Sequence, residues 1–172
     1  VNLKNTDEVI VTCLSFVASA NCILYCGAKP VFCDIDEDTM NIDPNKIEAL
    51  ITKNTKAIIV VDFAGQPCDY HKIIPIVKKH NLVLIEDASH SFGCQINSCI
   101  KKPKVGSFAD ITTFSFHPVK NITTCEGGMT VTNNEKYYKR MKAFLTHGIT
   151  KDYKDREKNA SHYYEMVDLG YN

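Results

Sequence analysis

Two uninterrupted apolar runs constrain this chain most. Ala57-Ile58-Ile59-Val60-Val61 and Leu82-Val83-Leu84-Ile85 hold no polar residue, and each runs into carboxylates, Asp62 in the first case and Glu86-Asp87 in the second. A strand with one wet face alternates apolar and polar residues. A continuous run marks a strand buried on both faces, as inside a parallel sheet covered by helices. Between the runs, Ile73, Ile74, Ile76 and Val77 give an apolar side to a helix starting near Asp69. Pro75 inside that helix removes a backbone donor, which predicts a kink or a break.

The same alternation extends in both directions. Val9-Ile10-Val11 reads as a strand, followed by a helix over 15–26 with Ser15 as its N-cap and Gly27 as its stop. Pro30-Val31-Phe32-Cys33 is the next strand. Asp43-Pro44 starts a helix with Pro at the first helical position, and Ile47, Leu50 and Ile51 form its inner face. Downstream, Ile111-Thr112-Thr113-Phe114-Ser115 and Met129-Thr130-Val131-Thr132 read as strands. A last helix is expected over 134–147, with Tyr138, Met141 and Leu145 on one face and Gly148 as C-cap; 151–161 is polar and reads as a loop. Strands alternating with helices predict a three-layer α/β fold, a mostly parallel sheet with helices on both faces.

Composition narrows the function. The 172 residues suffice for one domain with a core. Lys plus Arg and Asp plus Glu are equal at 20 each, so no net field draws the chain to nucleic acid or an acidic membrane surface. No apolar run approaches the ~20 residues that span a bilayer. The cysteines number 8, without a C-x-x-C pair. Cys22 and Cys26 lie one helical turn apart, but zinc spacing is missing, and the thiols read as reduced, cytosolic and packed as small hydrophobes. The acidic run Asp34, Asp36, Glu37, Asp38 lacks the Gly and terminal Glu of a calcium loop and reads as a solvated turn, as does the basic cluster Lys101, Lys102, Lys104. No Gly-rich phosphate fingerprint follows any strand, which disfavours a dinucleotide-binding domain. The chain opens Val1-Asn2-Leu3-Lys4 without an initiator Met, and a longer protein is expected around it.

The chemistry concentrates at two strand ends. Lys120 lies five residues after Ser115, in a segment closed by Gly127-Gly128. A lysine there is either a solvated surface residue or an amine set to form a Schiff base with an aldehyde. Asp87 falls at the carboxyl end of a central strand, where ligands of open α/β sheets bind. An amine for the aldehyde and a carboxylate for the ring nitrogen are the two groups that pyridoxal phosphate needs. Ser115 is placed to donate a hydrogen bond to the cofactor phosphate.

Four segments carry a resemblance. Glu86-Asp87-Ala88-Ser89-His90, Gly106-Ser107-Phe108-Ala109-Asp110, Phe114-Ser115-Phe116-His117-Pro118-Val119-Lys120 and Glu126-Gly127-Gly128 resemble the DegT/DnrJ/EryC1/StrS sugar aminotransferases. Phe116-His117-Pro118-Val119-Lys120 with Ile122-Thr123-Thr124 is most similar to the branch that aminates the UDP-linked 4-keto-6-deoxy sugar on the pseudaminic acid route. The resemblance implies the large domain of fold-type-I pyridoxal phosphate enzymes, here over 1–172 and truncated at both ends. It implies that Lys120 forms the Schiff base and acts as acid and base, that Asp87 pairs with the ring nitrogen, and that Ser115 holds the phosphate. His90 is either a structural histidine or, by resemblance, the partner of the ring hydroxyl. Phe16 is either core filler or, by resemblance, an aromatic stacked on the ring. Asn172 maps to a residue that contacts the phosphate held by the other subunit. The reaction implied moves an amino group from an amino acid, by resemblance glutamate, to a ketone on a nucleotide-linked sugar. A homodimer in the cytoplasm is implied for the intact enzyme, with no nucleic-acid or membrane partner. A related branch that dehydrates sugars has His where Lys120 stands, so the lysine favours transamination. Two departures stand out. An upstream Gly-Thr phosphate loop and a C-terminal small domain are missing from these residues, and Cys125 replaces the Gly usual before Glu126, which strains the backbone if φ is positive there. The second reading is a non-catalytic remnant that serves as a binding or interaction module.

Overall fold

The structure, a computed structural model, describes residues 1–96, 102–149 and 164–171. It comprises two compact units, Val1–Thr132 and Asn133–Asn172. The first carries a six-stranded sheet in the order β2-β1-β3-β4-β5-β6. The strands are β1 (Glu8–Thr12), β2 (Lys29–Cys33), β3 (Thr55–Val61), β4 (Val83–Asp87), β5 (Ile111–Ser115) and β6 (Gly128–Val131). Strands β1 to β5 run parallel and β6 pairs antiparallel with β5. The helices of this unit are α1 (Ala18–Tyr25), the short α2 (Pro44–Ile47) and α3 (Tyr70–Lys79).

The continuous apolar runs serve two cores because strand side chains alternate between faces. Val9, Val11, Ala57 and Ile59 pack with Ile23 of α1 on one face. Ile10, Ile58, Val60 and Leu84 pack with Ile47 of α2 and Tyr70, Ile73 and Val77 of α3 on the other. The expected three layers follow directly. The register aligns Val61 with Asp87 and Asp87 with Thr113, so the carboxyl ends of β3, β4 and β5 lie side by side. The chain leaves β1 for β2 on one side and returns to β3 on the other, which opens a crevice above the carboxyl ends.

Local signals hold in part. Asp43 caps α2 by accepting from the Asn45 N–H at 2.9 Å, with Pro44 at the first helical position. Gly27 ends α1 at φ 74°, where a side chain would be strained. Ser15, however, does not cap α1. The N-cap is Val17, and the Ser15 hydroxyl instead meets that of Ser19 at 2.6 Å. Helix α3 runs unbroken through Pro75, so the break allowed for there does not occur. Pro75 and His71 are both exposed, so the His71 carbonyl that loses its helical partner remains open to water. The described cysteines are unpaired thiols, but only Cys33 and Cys68 are buried; Cys13, Cys22, Cys26 and Cys125 are exposed, against the packing expected of them. Among the described residues no cluster suits a metal ion, and no helix is long and apolar enough to cross a membrane.

The second unit contains α4 (Glu135–Leu145), capped by Asn134, whose side chain accepts from the N–H groups of Lys136 and Tyr137. Its C-cap is Thr146 and not Gly148, and none of its residues is buried, so the inner face expected for Tyr138 and Leu145 is not formed. The polar loop expected over 151–161 lies outside the described residues.

Candidate active site

Asp87 ends β4 with its backbone fixed on both sides. Its carbonyl accepts from the Asp62 N–H at 3.1 Å, and the next residue, Ala88, donates to the Thr113 carbonyl at 2.8 Å. Its carboxylate is oriented by hydroxyls from two directions. Ser19 of α1 donates to Oδ2 at 2.8 Å, and Ser89 donates to Oδ1 at 2.5 Å. The Ser89 N–H adds a longer bond to Oδ1 at 3.2 Å. Asp87 makes no ion pair among the described residues, so the half-buried carboxylate has hydroxyls beside it but no cation. An N–H from a protonated heterocycle is the partner such a group lacks.

Lys120 lies in the connection from β5 to β6, its N–H bonded to the His117 carbonyl at 3.0 Å. That connection is folded back on itself. The Phe116 N–H donates to the Gly127 carbonyl at 2.8 Å, and the Phe116 carbonyl accepts from the Thr124 N–H at 3.0 Å. Two contacts bring it to the turn after β4: Asn121 Nδ2 donates to the Phe92 carbonyl at 3.2 Å, and the Phe92 ring meets Phe116 edge-on at 5.6 Å. Lys120 is half-buried and makes no ion pair among the described residues.

His90 lies three residues after Asp87, in the turn beyond β4. Its imidazole is held below the ordinary histidine value, first by burial and then by the Lys120 ammonium, with the Asp87 carboxylate opposing. The Asn121–Phe92 bond and the Phe92–Phe116 contact bring the connection that bears Lys120 to the turn that carries His90, three residues after Asp87. Nδ1 of His90 is buried without a hydrogen-bond partner. The His90 ring lies edge-on to Phe63, centroids 6.5 Å apart. Gly65 lets the loop after β3 pass close behind it: at φ 87°, a Cβ there would lie 3.0 Å from the His90 carbonyl oxygen.

Ser115 ends β5 opposite Gly128, and its hydroxyl accepts a weak bond from the His117 N–H at 3.4 Å, leaving its proton available. Phe16 is 74% exposed at the strand-to-helix junction, so it does not fill the core. Asn172 lies outside the described residues. Cys125 has φ 67°, the left-handed region in which the replacement of Gly was expected to strain the backbone. Sequence reasoning passed over Ser19, Ser89 and Asn121. The spacing of Ser15 and Ser19, one helical turn apart, was the available signal for the first of them.

The residues fit pyridoxal phosphate on observations of this structure: a carboxylate without a cation, an amine without an anion, an orphaned buried imidazole nitrogen and a hydroxyl with its proton available, at the carboxyl ends of β4 and β5 and in the connections that follow them.

A profile of the DegT/DnrJ/EryC1/StrS aminotransferase family matches residues 1–172. The chain is 45% identical over 167 residues to the UDP-4-amino-4,6-dideoxy-N-acetyl-beta-L-altrosamine transaminase of Campylobacter jejuni, covering 95% of this chain and 41% of that one. It is also 45% identical over 147 residues to the GDP-perosamine synthase of Escherichia coli O157:H7, covering 86% and 39%. Among solved structures, Spr1654 of Streptococcus pneumoniae in its PMP form matches with TM-score 0.85 and 36% identity, over 96% of this chain and 46% of that one. The chain thus spans less than half the length of these relatives.

Proposed function

The chain belongs to the DegT/DnrJ/EryC1/StrS aminotransferase family, whose cofactor is pyridoxal phosphate, and on that premise we propose that it is the cofactor-binding part of a sugar aminotransferase. The enzyme transfers an amino group from an amino acid, glutamate by the family resemblance, to the keto group of a nucleotide-linked sugar. When bound, the cofactor supplies an aldehyde and an electron-withdrawing ring. Lys120 Nζ is the amine that binds the aldehyde and later carries a proton as acid and base. Asp87 accepts from the ring N–H, and Ser19 and Ser89 keep its oxygens aimed. His90 offers its unpartnered Nδ1 side to the ring hydroxyl. Ser115 donates to the phosphate. Phe16, exposed in the connection between β1 and α1, would stack on the ring. Asn172 serves the phosphate of a second subunit in a homodimer.

One observation carries this reading: the connection that bears Lys120 is held to the turn after Asp87 by the Asn121–Phe92 hydrogen bond at 3.2 Å and the Phe92–Phe116 ring contact. The nucleotide-linked substrate is supported by the names of the two relatives, which carry UDP and GDP and so leave the sugar open. The test is the half-reaction. Protein loaded with pyridoxal phosphate should convert it to pyridoxamine phosphate when glutamate is added, and Lys120→Ala should not. Loading without conversion would favour the remnant reading for these residues taken alone.

A further inference from the structure

Directly behind Asp87 lies a set of acids that the reading above leaves unused. Asp62, Tyr70 and Glu86 are each fully buried. The Tyr70 hydroxyl lies 2.6 Å from Glu86 Oε1 and 3.1 Å from Asp62 Oδ1. A phenol owns one proton and can donate to one carboxylate at a time. For both contacts to be hydrogen bonds, one carboxyl group must hold a proton of its own and donate it to the phenol oxygen.

The other partners are all neutral. Glu86 Oε2 accepts from the Gly106 N–H at 3.0 Å and from Thr112 Oγ1 at 2.7 Å. Asp62 Oδ2 accepts from Ser91 Oγ at 2.7 Å, and Oδ1 also accepts from the Cys68 N–H at 3.0 Å. Among the described residues no Lys, Arg or His bonds to either carboxylate. Two buried like charges without a cation are costly, and one added proton removes most of that cost. Burial, followed by the Asp62 charge, pushes Glu86 up to about 6. Burial raises Asp62 as well and holds Tyr70 and Cys68 well above their ordinary values. The titratable groups facing the set are thus Asp62 after β3, Cys68 ahead of α3, Tyr70 on α3 and Glu86 on β4. Among the described residues, the further hydrogen-bond partners of the two carboxylates from the elements that close around the set are Ser91, Gly106 and Thr112.

The set also touches the site's own backbone. Glu86 precedes Asp87, Ser91 follows His90, and the Asp62 N–H holds the Asp87 carbonyl. We propose that Asp62, Tyr70 and Glu86 share one added proton, and that the closed network positions Asp87 and His90 for the cofactor. The positioning half rests on the function proposed above; the shared proton does not. Loss of the proton leaves two carboxylates competing for one hydroxyl, which loosens the end of β4 and the turn that bears His90.

Glu86→Gln separates the two halves. Its amide keeps an acceptor for Gly106 and Thr112 and supplies a permanent donor to Tyr70, so it mimics the protonated state. The measurements are thermal melting of the whole chain between pH 5 and 8 and pyridoxal phosphate affinity at pH 6 and 8. Relative to Glu86→Gln, the wild type should lose stability as pH rises from about 4.5 through about 6, because the folded state then holds the extra proton more tightly than the unfolded one. Glu86→Gln should lack that slope and melt about 4–8 °C above wild type at pH 8. Its affinity at pH 8 should exceed that of wild type by about threefold or more, with a smaller excess at pH 6, where about half of the wild type still holds the proton. A Glu86→Gln protein with the wild-type slope, or one melting below wild type at pH 8, would overturn the shared proton. Melts that separate as expected while affinities stay equal at both pH values would overturn the positioning role. Melts that separate while wild type binds no cofactor would leave the shared proton standing and overturn the cofactor reading, and the positioning role with it.

Discussion

Replacing Ser19 by Ala takes one of two hydroxyls from the Asp87 carboxylate without touching the sheet. Ser19 is buried at 5% exposure and donates to Asp87 Oδ2 at 2.8 Å. A hydrogen bond to a charged group contributes ~1.5–3 kcal/mol net. Asp87 is half-buried, so water recovers part of this, and the loss falls to roughly 1–2 kcal/mol. Ser15, which shares the Ser19 hydroxyl at 2.6 Å, is itself half-buried and finds water in its place. Alanine returns about 0.5 kcal/mol in helix propensity, which is too little to reverse the sign. The net cost is about 0.5–1.5 kcal/mol, or a Tm lower by about 1–6 °C for a chain of this size. Because the freed carboxylate is no longer aimed, pyridoxal phosphate affinity should fall by roughly three- to tenfold, consistent with about 0.7–1.4 kcal/mol. The assay is a melt with and without cofactor, with Ser19→Thr as the control that keeps a hydroxyl. Equal Tm and equal affinity for Ser19→Ala and wild type would refute the claim that this serine orients Asp87.

Three further outcomes are expected. Cys125→Gly relieves a left-handed backbone at φ 67°, gaining ~1–2 kcal/mol against ~0.4–1 kcal/mol of unfolded-chain entropy. A melt should show Tm unchanged or up to about 4 °C higher, and a clear drop would show that the cysteine side chain matters more than the strain. Pro75→Ala restores an N–H donor for the His71 carbonyl within α3 and should raise Tm by about 3–6 °C; a lower Tm would mean that the proline is favourable there. His90 should titrate below the ordinary value of about 6.5, so its share of stability is present above that pH and is lost as pH falls. Imidazole signals followed by NMR should move up in pKa in Lys120→Ala and down in Asp87→Asn, and a ring indifferent to both would show that neither charge is near it.

The sheet was legible because strands buried on both faces write an unmistakable run, as at residues 57–61 and 82–85. The same logic placed Asp87 at a strand end and Lys120 after β5, with Ser115 between. Local signals did less well where a tertiary partner decided the outcome. Ser15 has the chemistry of a cap, but Ser19 claims its hydroxyl because Ser19 is itself turned toward Asp87. Pro75 leaves the His71 carbonyl without its helical partner, and the exposure that lets water take its place is a property of the fold rather than of the local sequence. Asp62 and Glu86 were legible as carboxylates at the ends of the two apolar runs, but their meeting with Tyr70 was not. Asp62, Tyr70, Glu86, Ser91, Gly106 and Thr112 come from different elements, and no spacing rule links them. The burial of Glu86, not its position in the motif, gives it a role of its own.

The most direct test of the account is covalent. The chain is mixed with pyridoxal phosphate, reduced with borohydride, digested, and the labelled peptide identified by mass. The label should lie on Lys120, should persist at lower occupancy in Asp87→Asn, and should vanish in Lys120→Ala while the melt shows that protein still folded. Label spread over exposed lysines such as Lys29 and Lys53, with Lys120 unmodified, would contradict the site.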